Sequence, residues 1–119
     1  MSKLLKLQGE FTKAVSRLLE LACEDNALVT IGEVYRTDAQ AELNAKLGVG
    51  IRNSLHRLSL AIDIRLFRED NGVYKYLTDS EDYRTLGEWW EGQHPLARWG
   101  GRFSKPDGGH FSFEWKGVR

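Results

Sequence analysis

Hydrophobic and polar positions recur with two different periods along this chain, and the changes of period mark out its elements. Over residues 3–25, Leu4, Leu7, Phe11, Val15 (or Ala14), Leu18 and Ala22 stand at helical spacing with Lys, Glu and Arg between them. This predicts an amphipathic helix covering a core. Cys23 lies beside Leu18, Leu19, Leu21 and Ala22 in that pattern, so its thiol is expected to be buried. The short, partly β-branched run from Ala27 to Val34 predicts a strand. Thr37-Asp38-Ala39-Gln40 has the form of a capping box, with Thr37 as N-cap and Gln40 reaching back. It opens a helix to about Leu47, where Gly48 is a stop.

The period then changes to two. Leu58, Leu60, Ile62, Ile64 and Leu66 alternate with Arg57, Ser59, Ala61, Asp63 and Arg65, which predicts a strand from Leu58 to Phe67. Asn71-Gly72 is a hairpin turn signal, with Val73 to Leu77 as the returning strand. Asp79-Ser80 is expected to cap a third helix through Trp90. A glycine-rich loop runs from Trp99-Gly100-Gly101 to Asp107-Gly108-Gly109. The last predicted strand, His110 to Trp115, sets His110, Ser112 and Glu114 on one face and Phe111, Phe113 and Trp115 on the other, with Trp115 in the core. Helices flanking a small antiparallel sheet make the class α+β.

Composition narrows the function. A length of 119 residues is expected to form one domain, residues 1–119. Seventeen basic and seventeen acidic residues cancel to a net charge of zero. No net basic field favours nucleic acid or an anionic membrane surface. The single cysteine excludes an intramolecular disulfide and a cysteine-based zinc finger. The segment Met1-Ser2-Lys3-Leu4-Leu5-Lys6 has no long apolar run. The expectation is therefore neither signal peptide nor membrane insertion, and synthesis in the cytoplasm.

Three histidines are present, and two carry a candidate chemistry. Asp63 lies on the polar face of an apolar strand, and His110 begins the polar face of another. If those strands are neighbours, the two side chains project together. His56 precedes Asp63 by seven positions, so a regular strand would set them on opposite faces. His56 must then stand in the turn before the strand, or a bulge must intervene. Two imidazoles and a carboxylate suit zinc and leave a position for water, the catalytic arrangement. Asp107, three residues before His110 and followed by two glycines, can fold back as general base. The same spacing also describes a solvated His/Asp pair on a small α+β domain.

A family resemblance distinguishes these readings. Tyr35-Arg36-Thr37-Asp38-Ala39-Gln40, Ser54-Leu55-His56-Arg57-Leu58-Ser59-Leu60-Ala61-Ile62-Asp63, Trp99-Gly100-Gly101 and Asp107-Gly108-Gly109-His110-Phe111 follow in that order. Together, over roughly residues 30–115, they resemble the LAS-type zinc peptidases of the M15 family. That group includes D-alanyl-D-alanine carboxypeptidases and dipeptidases and the L-alanyl-D-glutamate endopeptidases of phage endolysins. The resemblance implies the hedgehog/DD-peptidase fold, Zn2+ held by His56, Asp63 and His110, and Asp107 as acid/base residue. It also implies Arg36 as a group that stabilises the oxyanion or anchors substrate. The aspartate and the small size are closer to the phage-type endopeptidases. Ser59 departs from the glycine usual at that position, and Ser112 stands where members often carry a larger polar side chain or a second histidine.

The expected reaction is hydrolysis of the L-alanyl-D-glutamate bond in peptidoglycan stem peptides by a monomer that reaches the wall on host-cell lysis or by another export route. Its rivals are a D-alanyl-D-alanine carboxypeptidase with the same site and a non-catalytic wall-binding or virion structural module. His94, followed by Pro95, is expected in a solvated loop. Glu114 is either a solvated strand residue or a second partner near His110. Trp89 and Trp90 cannot both face inward from one helix, so one could be exposed and stack on glycan or stem peptide, but ordinary packing is the favoured reading for the group.

Overall fold

The computed structural model describes residues 2–48 and 54–119. In chain order, α1 spans Lys3–Asp25, β1 Leu28–Ile31, α2 Asp38–Lys46, β2 Ala61–Asp70, β3 Val73–Tyr76, α3 Arg84–Glu91, β4 Ala97–Trp99 and β5 His110–Phe113. Three 3-10 turns lie between them, at Leu55–Leu58, Ser80–Tyr83 and Gly100–Arg102. The sheet runs β1-β2-β5-β4, with β3 also paired to β2, and every pairing is antiparallel. Helices and a small antiparallel sheet make this the α+β class that the periodicity predicts.

The helix α1 buries Leu7, Phe11, Leu18 and Ala22, four of the positions marked by the 3.6 period. Phe11 meets Trp90 of α3 edge-on at 5.7 Å and Phe113 of β5 at 5.3 Å. Such aromatic contacts add roughly 0.5–1.5 kcal/mol each beyond burial. Cys23 is exposed, contrary to expectation. It follows the buried Ala22 by one residue, about 100° around the helix, and so leaves the packed stripe.

Thr37 does cap α2, accepting from Gln40 N, but the Gln40 side chain donates forward to Asn44 Oδ1 at 2.6 Å. Only half of the capping box forms. Gly48 follows the helix in the left-handed region at φ 73°.

The central strand β2 begins at Ala61 rather than Leu58. Leu58 ends a 3-10 turn, and Ser59 closes that turn at φ 55°, ψ 40°. This left-handed residue breaks the alternation that the hydrophobic pattern alone carries back to Leu58. Glycine would reach this positive φ without a Cβ clash, and serine holds it at some strain. From there Ile62, Ile64 and Leu66 are buried on one face while Asp63 is half-buried on the other.

Asn71 and Gly72, at φ 51° and 80°, form the predicted turn into β3. Asp79 caps a 3-10 turn, accepting from Glu81 N, and the α-helix proper starts only at Arg84. Ala97–Trp99, whose last residue was expected to open the glycine-rich loop, is a strand paired with β5. The strand β5 stops at Phe113 and Trp115 is half-buried, pairing through its backbone with Val118. All four β5 residues are buried, because β2 and β4 flank it and helices cover its apolar face.

Candidate metal and catalytic site

Three separate local structures converge on one cleft. Ser54 caps the first 3-10 turn, accepting from His56 N at 3.2 Å. Gln8 of α1 holds the far end of that turn by donating to Leu58 O at 2.6 Å. His56 is thus buried in the turn before β2, the first of the two solutions its odd spacing from Asp63 allows. Asp63 and His110 are direct cross-strand partners in the β2–β5 ladder.

The side chains close the cluster. Asp63 Oδ1 accepts from His110 Nδ1 at 3.2 Å, and Asp63 Oδ2 lies 3.3 Å from His56 Nε2. One ligand atom from each of the three falls within 4.8 Å of the others. His56 Nδ1 donates to Val34 O at 3.2 Å, which leaves Nε2 as the nitrogen with a free lone pair when the ring is neutral. His110 Nε2 is buried without a hydrogen-bond partner among the described residues.

These groups fit a zinc ion. Bonds of 2.0–2.2 Å in tetrahedral array set ligand atoms about 3.4 Å apart; one atom from each of the three residues lies within 4.8 Å of the others, a spacing that side-chain adjustment can close onto an ion. The donor chemistry, two imidazoles and a carboxylate, is also that of an open zinc site.

The electrostatics follow from the crowding. Burial opposes ionisation of Asp63, but the hydrogen bonds and charges of His110 and His56 outweigh it and hold the carboxyl well below the usual range. Burial likewise opposes protonation of His56. Asp63, the Val34 carbonyl and Glu33 overcome that cost, and its pKa is raised. Asp107 shifts the other way from Asp63: desolvation and the Asp63 charge lift its carboxyl, against the pull of His110 and His56.

Asp107 is anchored through its backbone, donating to Gly100 O at 2.9 Å and accepting from His110 N at 3.1 Å. Gly100 must lack a side chain there. A Cβ would stand 2.1 Å from Asp107 O and 2.8 Å from the His110 Cβ. Arg36, His56, Asp63, Asp107 and His110 all line one cleft of about 670 Å³. Arg36 donates through its backbone to His56 O at 3.1 Å and through Nε to Glu33 Oε1.

Glu33 is the neighbour that reading the sequence missed. Its carboxylate orients Arg36 and lies 3.9 Å from His56 Nδ1, and its backbone carbonyl accepts from Asp63 N at 2.8 Å. The i, i+3 spacing to Arg36 was the available signal, and it is indistinguishable from any surface pair.

Two other residues fall outside the cluster. His94 is not solvated: it stacks on Phe113 at 4.5 Å and pairs with Glu10 at 2.8 Å, tying the loop to α1. Glu114 pairs with Arg98 and Arg119 and not with His110. Trp90 is fully buried and donates to Ser112 O, while Trp89 is half-buried against the core.

A family model of the M15 peptidases, described as D-alanyl-D-alanine carboxypeptidase, matches residues 48–113. The chain belongs to the M15 peptidase family. The architecture of this M15 peptidase is similar to the crystal structure of the L-Ala D-Glu endopeptidase ChiX from Serratia marcescens. The TM-score is 0.64 at 20% sequence identity, over 87% of this chain and 79% of that one. No curated protein matches the chain. Among the described residues, no helix of this M15 peptidase is long and apolar enough to cross a membrane.

Proposed function

We propose that this peptidase is a zinc-dependent peptidoglycan hydrolase of the endolysin type, cutting the L-alanyl-D-glutamate bond of stem peptides. The observation that carries the reading is the convergence of His56, Asp63 and His110 within 4.8 Å in a cleft that Asp107 and Arg36 also line. The likeness to an L-Ala D-Glu endopeptidase supports the choice of bond. The description of the matching family supports a second reading, release of terminal D-alanine by the same site. Residues 1–119 would act as one monomeric unit, made in the cytoplasm and reaching the wall when the host cell is lysed.

His56, Asp63 and His110 would hold the ion. Bound there, zinc supplies a Lewis acid that polarises a carbonyl and lowers the pKa of water to about 7. The Val34 carbonyl fixes the His56 tautomer so that Nε2 faces the site. Asp107 accepts a proton from the attacking water as the new C–O bond forms. It returns that proton to the leaving amine as the C–N bond breaks. Burial raises its pKa, so it holds that proton more readily than an exposed carboxyl would. Arg36, oriented by Glu33, offers its guanidinium to the oxyanion, an interaction that strengthens as charge develops in the transition state.

The test is mass spectrometry of purified peptidoglycan digested with zinc-loaded protein beside a chelated control. Chelator-sensitive fragments split between L-alanine and D-glutamate are the expected result. Loss of terminal D-alanine would move the assignment to the carboxypeptidase. Zinc binding without cleavage of any wall type would leave a non-catalytic module.

A further inference from the structure

The cleft around the His-Asp-His cluster is lined by three cations, Arg36, Lys105 and Arg119. Two have a carboxylate partner: Arg36 pairs with Glu33, which orients it, and Arg119 with Glu114 at 3.0 Å. Lys105 is the one cation of that lining without a carboxylate partner among the described residues. Asp63 and Asp107, the carboxylates of the lining, do not supply one: Asp63 is engaged by both histidines. An unpaired ammonium in a concave site suits an anionic ligand.

Its position is specific. Lys105 precedes Asp107 by two residues, and Pro106 between them restricts the backbone. Two residues span at most about 7 Å of chain and both line the cleft, so one ligand there is within reach of the ammonium and of the Asp107 carboxylate. When D-glutamate is joined onward through its γ-carboxyl, its free α-carboxylate sits on the carbon that bears the scissile nitrogen. A group that reads this carboxylate must lie close to the group that protonates that nitrogen.

We propose that Lys105 pairs with the free α-carboxylate of the residue on the leaving-amine side, and so selects D-glutamate over its α-amide. The inference rests on the proposed endopeptidase reading and adds a specificity residue to it. Lys105 is a binding residue. Its removal raises KM for the carboxylate substrate and leaves kcat near its starting value.

The experiment compares two synthetic peptides, L-alanyl-γ-D-glutamyl-L-lysine and its α-amide, with the original protein and the Lys105→Gln, Lys105→Arg and Lys13→Gln variants. Lys13 lies on exposed α1 surface outside the cleft lining and controls for net charge. A second readout is calorimetric binding of the matching uncleavable reduced-amide peptides to purified, metal-free protein. The original protein should favour the carboxylate by about five- to tenfold, in KM and in binding, as for a partly exposed charge pair. Lys105→Gln should abolish that preference, and Lys105→Arg and Lys13→Gln should keep it.

A preference that survives Lys105→Gln, that falls equally in Lys13→Gln, or that is absent from the original protein overturns the inference. If the original protein cleaves neither peptide, the endopeptidase reading fails. The binding comparison then decides separately whether Lys105 recognises the carboxylate.

Discussion

Asp63 and His110 face each other as register partners across β2 and β5, and His110 Nδ1 donates to Asp63 Oδ1 at 3.2 Å. Two candidate ligands are therefore set by one ladder, while His56 arrives from the 3-10 turn before β2. Asp107 reaches the same cleft by backbone hydrogen bonds alone, with no ladder position of its own.

The different placements predict different failures. Asp63→Asn and His110→Ala should lose bound zinc, and activity should fall at least about a hundredfold. Asp107→Asn should keep zinc while kcat falls by about 10²–10⁴, the usual contribution of general acid–base catalysis. Metal content by atomic emission beside turnover separates the two classes. Asp107→Asn protein purified without zinc, under conditions that load the original, would refute the division.

The metal-free chain should become less stable as pH rises through neutrality. His56 has a raised pKa in the folded state, so its contribution is fully present below the unfolded value of about 6.5 and is lost as pH rises through the folded value. Asp63 is shifted downward; its contribution is present above the unfolded carboxylate value and lost only in strong acid. Thermal unfolding in chelator from pH 6 to 9 should show a falling Tm, and Asp63→Asn should flatten the slope. A Tm that climbs over that window contradicts the assignment. With zinc the trend should reverse, because deprotonated histidine is the ligand.

Ser59 holds φ 55° at the end of the turn that carries His56. Ser59→Gly relieves the left-handed strain, worth about 1–2 kcal/mol, at some cost in unfolded-state entropy. The expected net is a gain of about 0.5–1 kcal/mol in urea unfolding with zinc affinity unchanged. Ser59→Val should destabilise. A loss of stability in the glycine variant would show that the serine side chain contributes something the backbone geometry does not reveal.

Gly100→Ala should disable the site while leaving its chemical groups in place. The added methyl would press on Asp107 O and the His110 Cβ at distances no real Cβ tolerates. Displacement of that loop should cost about 1–3 kcal/mol, as for other overpacked positions. Turnover should fall more steeply than stability, because a small misplacement of a catalytic group is costly. Near-normal activity in this variant would mean that the Asp107 loop is free to shift.

Much of this architecture was legible in residue order. The 3.6 period of α1 and the alternation through Ile62, Ile64 and Leu66 report burial directly, because a helix or strand must show one face to the core. The Asn71-Gly72 turn and the Thr37 cap are local chemistry. The meeting of Asp63 with His110 was legible only as a condition, that their strands be neighbours with apolar faces turned the same way, and the β2–β5 ladder meets it. Where β2 begins was not legible: Leu58 continues the hydrophobic alternation while the backbone at Ser59 leaves the strand. The short strand Ala97–Trp99 carries no distinguishing period, and it exists because β5 offers an edge to pair with.

The sequence by itself determined which residue types were present for metal and proton-transfer chemistry, and which faces of α1 and β2 had to be buried. Only the tertiary structure decided that Glu33 orients Arg36, that Gln8 holds the His56 turn, that Gly100 makes room for Asp107 and that Lys105 has no carboxylate partner among the described residues. Gln8 with Leu58 and Gly100 with Asp107 meet only through the path of the folded chain, and the direction of the Glu33–Arg36 pair is set by an irregular segment with no period of its own. Local propensity and periodicity act over a few residues and carry no information about such meetings.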